Sequence, residues 1–259
     1  MELRTHRQAW GALGPGGFHS DPAAFVAAVA ARGYDAIEMP QFVLDLAGDD
    51  GEARMLALLA AHDLELVPMI LTFRPTAEEV LDEFRTGIER AAAIGAPLVI
   101  AHTGADHFDD DTAASVLGEC ARMGADHGIR VAQETHRSRI LYNPWRTAAM
   151  LDRVEGLWLN ADFSHFVCVA ERLLDDQRDL MDRLCDRAVH IHIRVGYENG
   201  PQVPDPRAIE WTAALDAHEA WWDRIWRAAA DRGEATIGIT PEYGPPTYAP
   251  VGTDPALLW

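Results

Sequence analysis

Residues 97–136 read PLVIAHT, GADHFDD, DTAASVLGECARMGADHG and IRVAQETH in succession. Pro97–Thr103 is a short, nearly unbroken apolar run, the pattern of a strand buried on both faces. Asp111–His127 then spaces its apolar residues as a helix does and stops at Gly128. Ile129–His136 opens a second apolar run 32 residues after the first. Two such runs joined by a helix form a βαβ unit with parallel strands.

The unit repeats along the whole chain. Further runs are Tyr34–Met39 (YDAIEM), Glu65–Phe73 (ELVPMILTF), Leu157–Asp162 (LWLNAD), Ala188–Arg194 (AVHIHIR) and Thr236–Glu242 (TIGITPE), with a weaker one at Glu2–Trp10. After the first, the starts are separated by 31, 32, 32, 28, 31 and 48 residues, and 259 residues divided by eight is about 32. Helical periodicity fills the gaps at Ala23–Arg32, Pro75–Ile94, Asp111–His127, Asn143–Gly156, Val169–Arg187 and Asp205–Arg232. Asp21-Pro22 caps the first of these, and Gly33, Gly95 and Gly128 stop three of them. Eight strands alternating with helices in this length predict an α/β fold, a (β/α)8 TIM barrel of one domain over 1–259. Residues 241–259 form a Pro/Gly-rich tail after strand eight. An open doubly wound sheet is the competing architecture, and it lacks its G-x-G-x-x-G after the first strand.

Composition excludes several chemistries. Asp and Glu number 41 against 22 basic residues, a net charge of −19 that repels nucleic acid and anionic membranes. Every basic residue is Arg, and without a Lys there is no Schiff-base aldolase, pyridoxal-phosphate linkage or P-loop. None of the four Ser stands in a G-x-S-x-G elbow. The three Cys (120, 168, 185) show no C-x-x-C spacing, which points to a reducing compartment. With no leader pattern and no 18-residue apolar run, a cytoplasmic protein is expected.

In a barrel, chemistry gathers at the C-terminal strand ends. Those ends carry Glu38, Thr72, His102, Glu134 with His136, Asp162 with His165, His190 with His192 and Arg194, and Glu242, while strand interiors are apolar. Because a buried charge without a partner is costly, this placement is a signal of function. Glu134, Asp162, His192 and Glu242 come from the last four strands in order. Three carboxylates and an imidazole suit one divalent metal ion, Mn²⁺ first, with Mg²⁺, Co²⁺ or Zn²⁺ also accommodated.

The ordered segments QETHR (133–137), DFSH (162–165), HIHIR (190–194) and TPEYG (240–244), with DAIE at strand two, resemble the xylose-isomerase-like barrels. HIHIRVGYENGPQVPDP is similar to a subgroup described as sugar phosphate isomerase/epimerase. The resemblance covers nearly the whole chain. It implies that Glu134, Asp162, His192 and Glu242 hold the metal, the second His of the pair being the ligand. Strand parity puts His190, His192 and Arg194 on one face, with His190 a layer deeper. The resemblance also implies substrate contacts from His165, His136, Arg194 and His102. For Arg194 an ion pair with a neighbouring acid is the other reading, and for Glu38 a structural role. Trp221, Trp222 and Trp226 either pack a helix on the barrel or support a homodimer.

The chemistry that follows is proton transfer on a small carbohydrate. A polarised carbonyl makes its α-proton acidic, and Glu134 and Glu242 form the acid/base pair that moves the proton through an enediolate. A hydride shift of the xylose-isomerase type needs a second metal and a Lys, so it is set aside. A lyase, acting as dehydratase or 3-keto-glycoside deglycosidase through the same enolate, is the alternative. An apurinic-site endonuclease fits less well, since Val67-Pro68-Met69 lacks the strand-three His and the net charge repels DNA. With no Lys and no Arg cluster to mark a phosphate site, a non-phosphorylated substrate is favoured.

Overall fold

A computed structural model describes residues 1–13, 21–45 and 50–250. Its strands are β1 (Glu2–Gln8), β2 (Ala36–Pro40), β3 (Glu65–Leu71), β4 (Leu98–His102), β5 (Arg130–Glu134), β6 (Trp158–Ala161), β7 (Ala188–Ile193) and β8 (Thr236–Pro241). They pair in chain order, all parallel, and β8 closes on β1 with Thr5 beside Ile239. The predicted TIM barrel is the observed fold, each strand lying within the stretch read from the sequence except that β2 runs one residue further, to Pro40.

The wall is made by helices α1 (Pro22–Ala31), α2 (Gln41–Asp45), α3 (Gly51–Ala61), α4 (Ala77–Ala93), α5 (Asp110–Asp126), α6 (Pro144–Arg153), α7 (Ser164–Ala170), α8 (Arg178–Cys185) and α9 (Thr212–Asp231). Their starts follow local chemistry. Asp21, Thr76, Asp109 and Asn143 each accept an N–H of the first turn, and Pro stands at the start of α1 and α6. The single helix expected over Val169–Arg187 is broken into α7, a short 3₁₀ turn at Asp175–Gln177 and α8. Glu171 and Leu174 adopt left-handed backbone (φ 52° and 62°), which no helix can pass through. Helices α2 and α3, between β2 and β3, are additions to the expected set.

The helices bury Val80, Phe84, Leu117, Phe166 and Ile225 against the outer faces of the strands. Trp221, Trp222 and Trp226 of α9 pack against this same core, so the helix is seated on its own barrel. Among the described residues no helix is long and apolar enough to cross a membrane.

Inside the barrel the filling is divided. Val67, Met69, Ile100 and Ala132 make an apolar cluster on strands β3–β5. Opposite them lie His6, Gln8, Glu38, Asn160, His190 and Thr240, all buried. Gly238 makes room for this packing: a Cβ there would come 2.5 Å from His6 Cε1 and 2.6 Å from His190 Nδ1. The two imidazoles stack over it with centroids 5.0 Å apart.

Candidate metal centre

The parallel register carries Glu134, Asp162, His192 and Glu242 to neighbouring positions at the C-terminal mouth. Glu134 ends β5, Asp162 follows β6, His192 lies in β7, and Glu242 follows β8. One ligand atom from each lies within 4.8 Å of the others, and all four residues are buried. His192 Nδ1 stands 2.9 Å from Glu242 Oε2 and 3.3 Å from Glu134 Oε2. Neither His192 Nδ1 nor Glu242 Oε2 has a hydrogen-bond partner. Buried polar atoms this close without a well-aligned hydrogen bond are ones that a cation held between them would satisfy.

Each carboxylate is held by neighbours. Asn160, two residues before Asp162 on the same strand face, donates from Nδ2 to Glu134 Oε2 at 3.2 Å. The Asp162 amide donates to Thr135 Oγ1 at 2.9 Å. Asp162 Oδ1 accepts the Ser164 amide at 3.1 Å and the Ser164 hydroxyl, an Asx turn written into the DFSH segment. Below the centre, Glu38 Oε1 lies 2.9 Å from His192 Nε2. Glu38 also accepts from Gln8 Nε2 at 3.1 Å and Thr240 Oγ1 at 2.8 Å. His192 thus turns Nδ1 toward the carboxylate set while Glu38 sits behind its other nitrogen, the arrangement that orients a metal-binding imidazole.

His190 belongs to the layer beneath. Its Nε2 contacts Thr240 Oγ1 at 2.9 Å and Glu38 Oε2 at 3.3 Å, away from the three carboxylates. Of the two histidines it is His192 that lies with Glu134, Asp162 and Glu242, while both share a second group with Glu38.

The four remaining expected residues are all at the mouth. Arg194 donates to Asp162, pairs with Glu242 Oε1 at 3.1 Å, and reaches Ser164 Oγ at 3.2 Å and His165 Nε2 at 2.7 Å. The ion-pair reading of Arg194 therefore matches its geometry. His165 is fully buried, its ring 3.9 Å from that of His136. His102 Nε2 lies 2.6 Å from Glu134 Oε2, and the His102 and His136 centroids are 4.7 Å apart. His136 Nδ1 contacts the Arg137 carbonyl at 2.5 Å.

Electrostatics explain the protonation states. Burial lowers His165 well below the usual imidazole range and brings His136 to about 3, so both are neutral. Burial also disfavours the charged form of His192, but Glu38, Glu134 and Glu242 outweigh it and hold its pKa well above the ordinary value. Burial raises Asp162 to about 6 against the pull of Arg194, with Glu242 and Glu134 pushing the same way as burial. Glu134, though buried, is kept well below the carboxylate range by His102 and His192. The side chains of Glu38, Glu134, Asp162 and Glu242 thus crowd around Arg194 and His192. Three carboxylates and one imidazole make a hard, oxygen-rich donor set that fits a divalent cation taking the place of the His192 proton.

One wall of the mouth went unread in the sequence. Trp10, Phe42, Leu71, Phe73 and Tyr248 line a cavity of about 330 Å³ whose other side is His102, Glu134, His136 and Glu242. Tyr248 brings the first part of the C-terminal tail into the site, while residues 251–259 of that tail lie outside the described residues.

Residues 26–250 match the family model of the xylose isomerase-like TIM barrel, and the chain belongs to that family. No curated protein matches the sequence. Among solved structures, a probable 3-DHS dehydratase, AsbF, from Bacillus anthracis is 16% identical with TM-score 0.66, over 95% of this chain and 94% of that one. D-psicose 3-epimerase from Clostridium cellulolyticum H10 is 14% identical with TM-score 0.62, over 99% and 90%. A xylose isomerase-like TIM barrel protein from Mycobacterium smegmatis, in complex with magnesium, is 18% identical with TM-score 0.64, over 95% and 91%. Such identities speak for the fold.

Proposed function

We propose that the protein is a divalent-metal-dependent isomerase or epimerase that moves a proton on a small hydroxyketone of carbohydrate type. The observation that carries this reading is the meeting of Glu134, Asp162, His192 and Glu242 within 4.8 Å at the barrel mouth. These four would hold the ion, Mn²⁺ by preference. The magnesium bound by the Mycobacterium smegmatis relative supports a hard cation in such a barrel. When bound, the ion withdraws charge from the substrate carbonyl and acidifies the α-carbon.

The chain's own groups do the rest. One carboxylate of the pair Glu134 and Glu242 removes the α-proton, leaving the substrate as an enediolate. For epimerisation the other carboxyl, protonated beforehand, gives its proton to the opposite face of the same carbon; for isomerisation the first carboxyl returns its proton to the neighbouring carbon while the hydroxyl proton passes from one oxygen to the other. Arg194 pairs with Asp162 and Glu242 and holds both carboxylates in place. Neutral His136 and His165 offer polar contacts without adding charge, and His102 contacts Glu134.

Solvent exchange tests the reading. In ²H₂O with Mn²⁺, a true substrate takes up deuterium at the carbon next to its carbonyl. Glu134→Gln or Glu242→Gln, whichever carboxylate initiates, abolishes that uptake; removing a general base costs about 10²–10⁴-fold in rate. Turnover with full retention of the substrate's own hydrogen overturns the proposal.

A further inference from the structure

The catalytic mouth has two unlike halves. Strands β5–β8 end in carboxylates and imidazoles, whereas β1, β2 and β3 are followed by Trp10, Phe42 and Phe73. These aromatics are unusually open: Phe73 is 65% exposed, Phe42 52% and Trp10 36%. Among the described residues they are three of the four exposed Phe and Trp side chains. A single exposed aromatic needs no explanation, but three around one cavity mark a binding surface.

The wall is held in position rather than merely left uncovered. Trp10 stands edge-on to Tyr248, with centroids 5.2 Å apart and planes at 86°. The Arg139 guanidinium lies 4.7 Å over the Phe73 ring and donates to the carbonyls of Thr72 (2.8 Å) and Gly104 (3.3 Å). Met69 and Leu71 floor the same cavity. Glu134 and Glu242 line its opposite side, so one small molecule can touch both the carboxylate set and the aromatic wall.

We infer that the substrate joins an α-hydroxyketone to an apolar, planar group such as an aryl ring. The hydroxyketone reaches the carboxylate side, and the ring lies against Trp10, Phe42 and Phe73. A short polyol, hydrated at every carbon, would use only half of this cavity. The inference rests on the proposed metal-dependent proton transfer at Glu134 and Glu242.

Three probes test it by calorimetry on the Mn²⁺-loaded protein: 2-hydroxyacetophenone, hydroxyacetone and D-fructose. The first two share the hydroxyketone and differ by phenyl against methyl. 2-Hydroxyacetophenone should bind at least about tenfold more tightly than either of the others, a modest share of what burying an aromatic ring yields. The Phe42→Ala/Phe73→Ala double variant, altered only at open rim positions, should bring the phenyl-to-methyl ratio below about twofold. A wild-type ratio near one, tighter binding of D-fructose, or a ratio untouched in the double variant overturns the inference. Repeating the titrations without Mn²⁺ separates the two readings. If hydroxyacetone binding requires the metal but phenyl adds nothing, only the aryl inference falls. If no probe responds to the metal, the proton-transfer reading falls and takes this one with it.

Discussion

Replacing Glu38 by Gln tests whether the layer below the carboxylates tunes the metal centre. Glu38 is fully buried, and its Oε1 stands 2.9 Å from His192 Nε2. At that distance and an effective dielectric near 20, the charge interaction has a ceiling of about 6 kcal/mol. The net loss is much smaller, because the substitution also removes the cost of burying a carboxylate. Gln can keep the shape of the network, its carbonyl facing His192 and Gln8 and its amide facing Thr240. What disappears is the negative charge behind the imidazole, and loss of such a partner costs about 10–100-fold in metal affinity. In free energy that is about 1.4–2.7 kcal/mol.

Competition against a fluorescent Mn²⁺ chelator measures the change, and circular dichroism confirms that the variant is folded. The pH dependence carries a second expectation. Glu38 helps hold the His192 proton, and that proton must leave before the nitrogen can ligate. Wild-type affinity should therefore fall steeply as pH drops, and the Glu38→Gln profile should be flatter, with the largest deficit at high pH. A folded Glu38→Gln protein whose Mn²⁺ affinity lies within twofold of wild type at every pH refutes the argument.

Further outcomes are expected. Purified Glu134→Ala/Asp162→Ala protein should hold no stoichiometric divalent metal by elemental analysis, and retention of the ion would show that the ligands lie elsewhere. His165→Asn should keep its metal yet lose turnover by about 10²–10⁴-fold, as for a group that assists proton transfer; loss of the ion instead would make His165 a ligand. His218, buried in α9, accepts the Gly196 amide at Nε2 (3.2 Å) and bonds the Ala214 carbonyl through Nδ1 (2.7 Å), and burial lowers its pKa to about 4. Below about 6.5 the unfolded chain protonates this residue while the folded one does not, so its share of stability, up to about 3 kcal/mol, is present above pH 6.5 and lost as pH falls toward 4. Denaturant melts at pH 7 and pH 5 should show a smaller drop for His218→Gln than for wild type, and equal drops would refute this.

What could be read in advance follows from the range of the interactions involved. A parallel strand buried on both faces is a short apolar run, so β2–β8 were placed within one or two residues of their observed ends. The break at Glu171 and Leu174 left no such mark, since non-glycine residues can be forced into left-handed backbone by tertiary packing alone. The meeting of Glu134, Asp162, His192 and Glu242 was legible because strand-end position and i, i+2 parity are local facts, and the same parity separates His192 from His190 by one layer. The partners of those residues were not. Glu38 meets His192 across 154 positions of sequence, and that meeting is decided by barrel closure and strand stagger, to which no short window is sensitive. Trp10, Phe42 and Phe73 are subject to the same limit. Each is an ordinary aromatic after its own strand, and only the closed ring of β1, β2 and β3 against β8 turns them into one wall facing Glu242. The aromatic wall is therefore set by distant strand ends brought together, while each member of the four-residue cluster is marked at its own strand end.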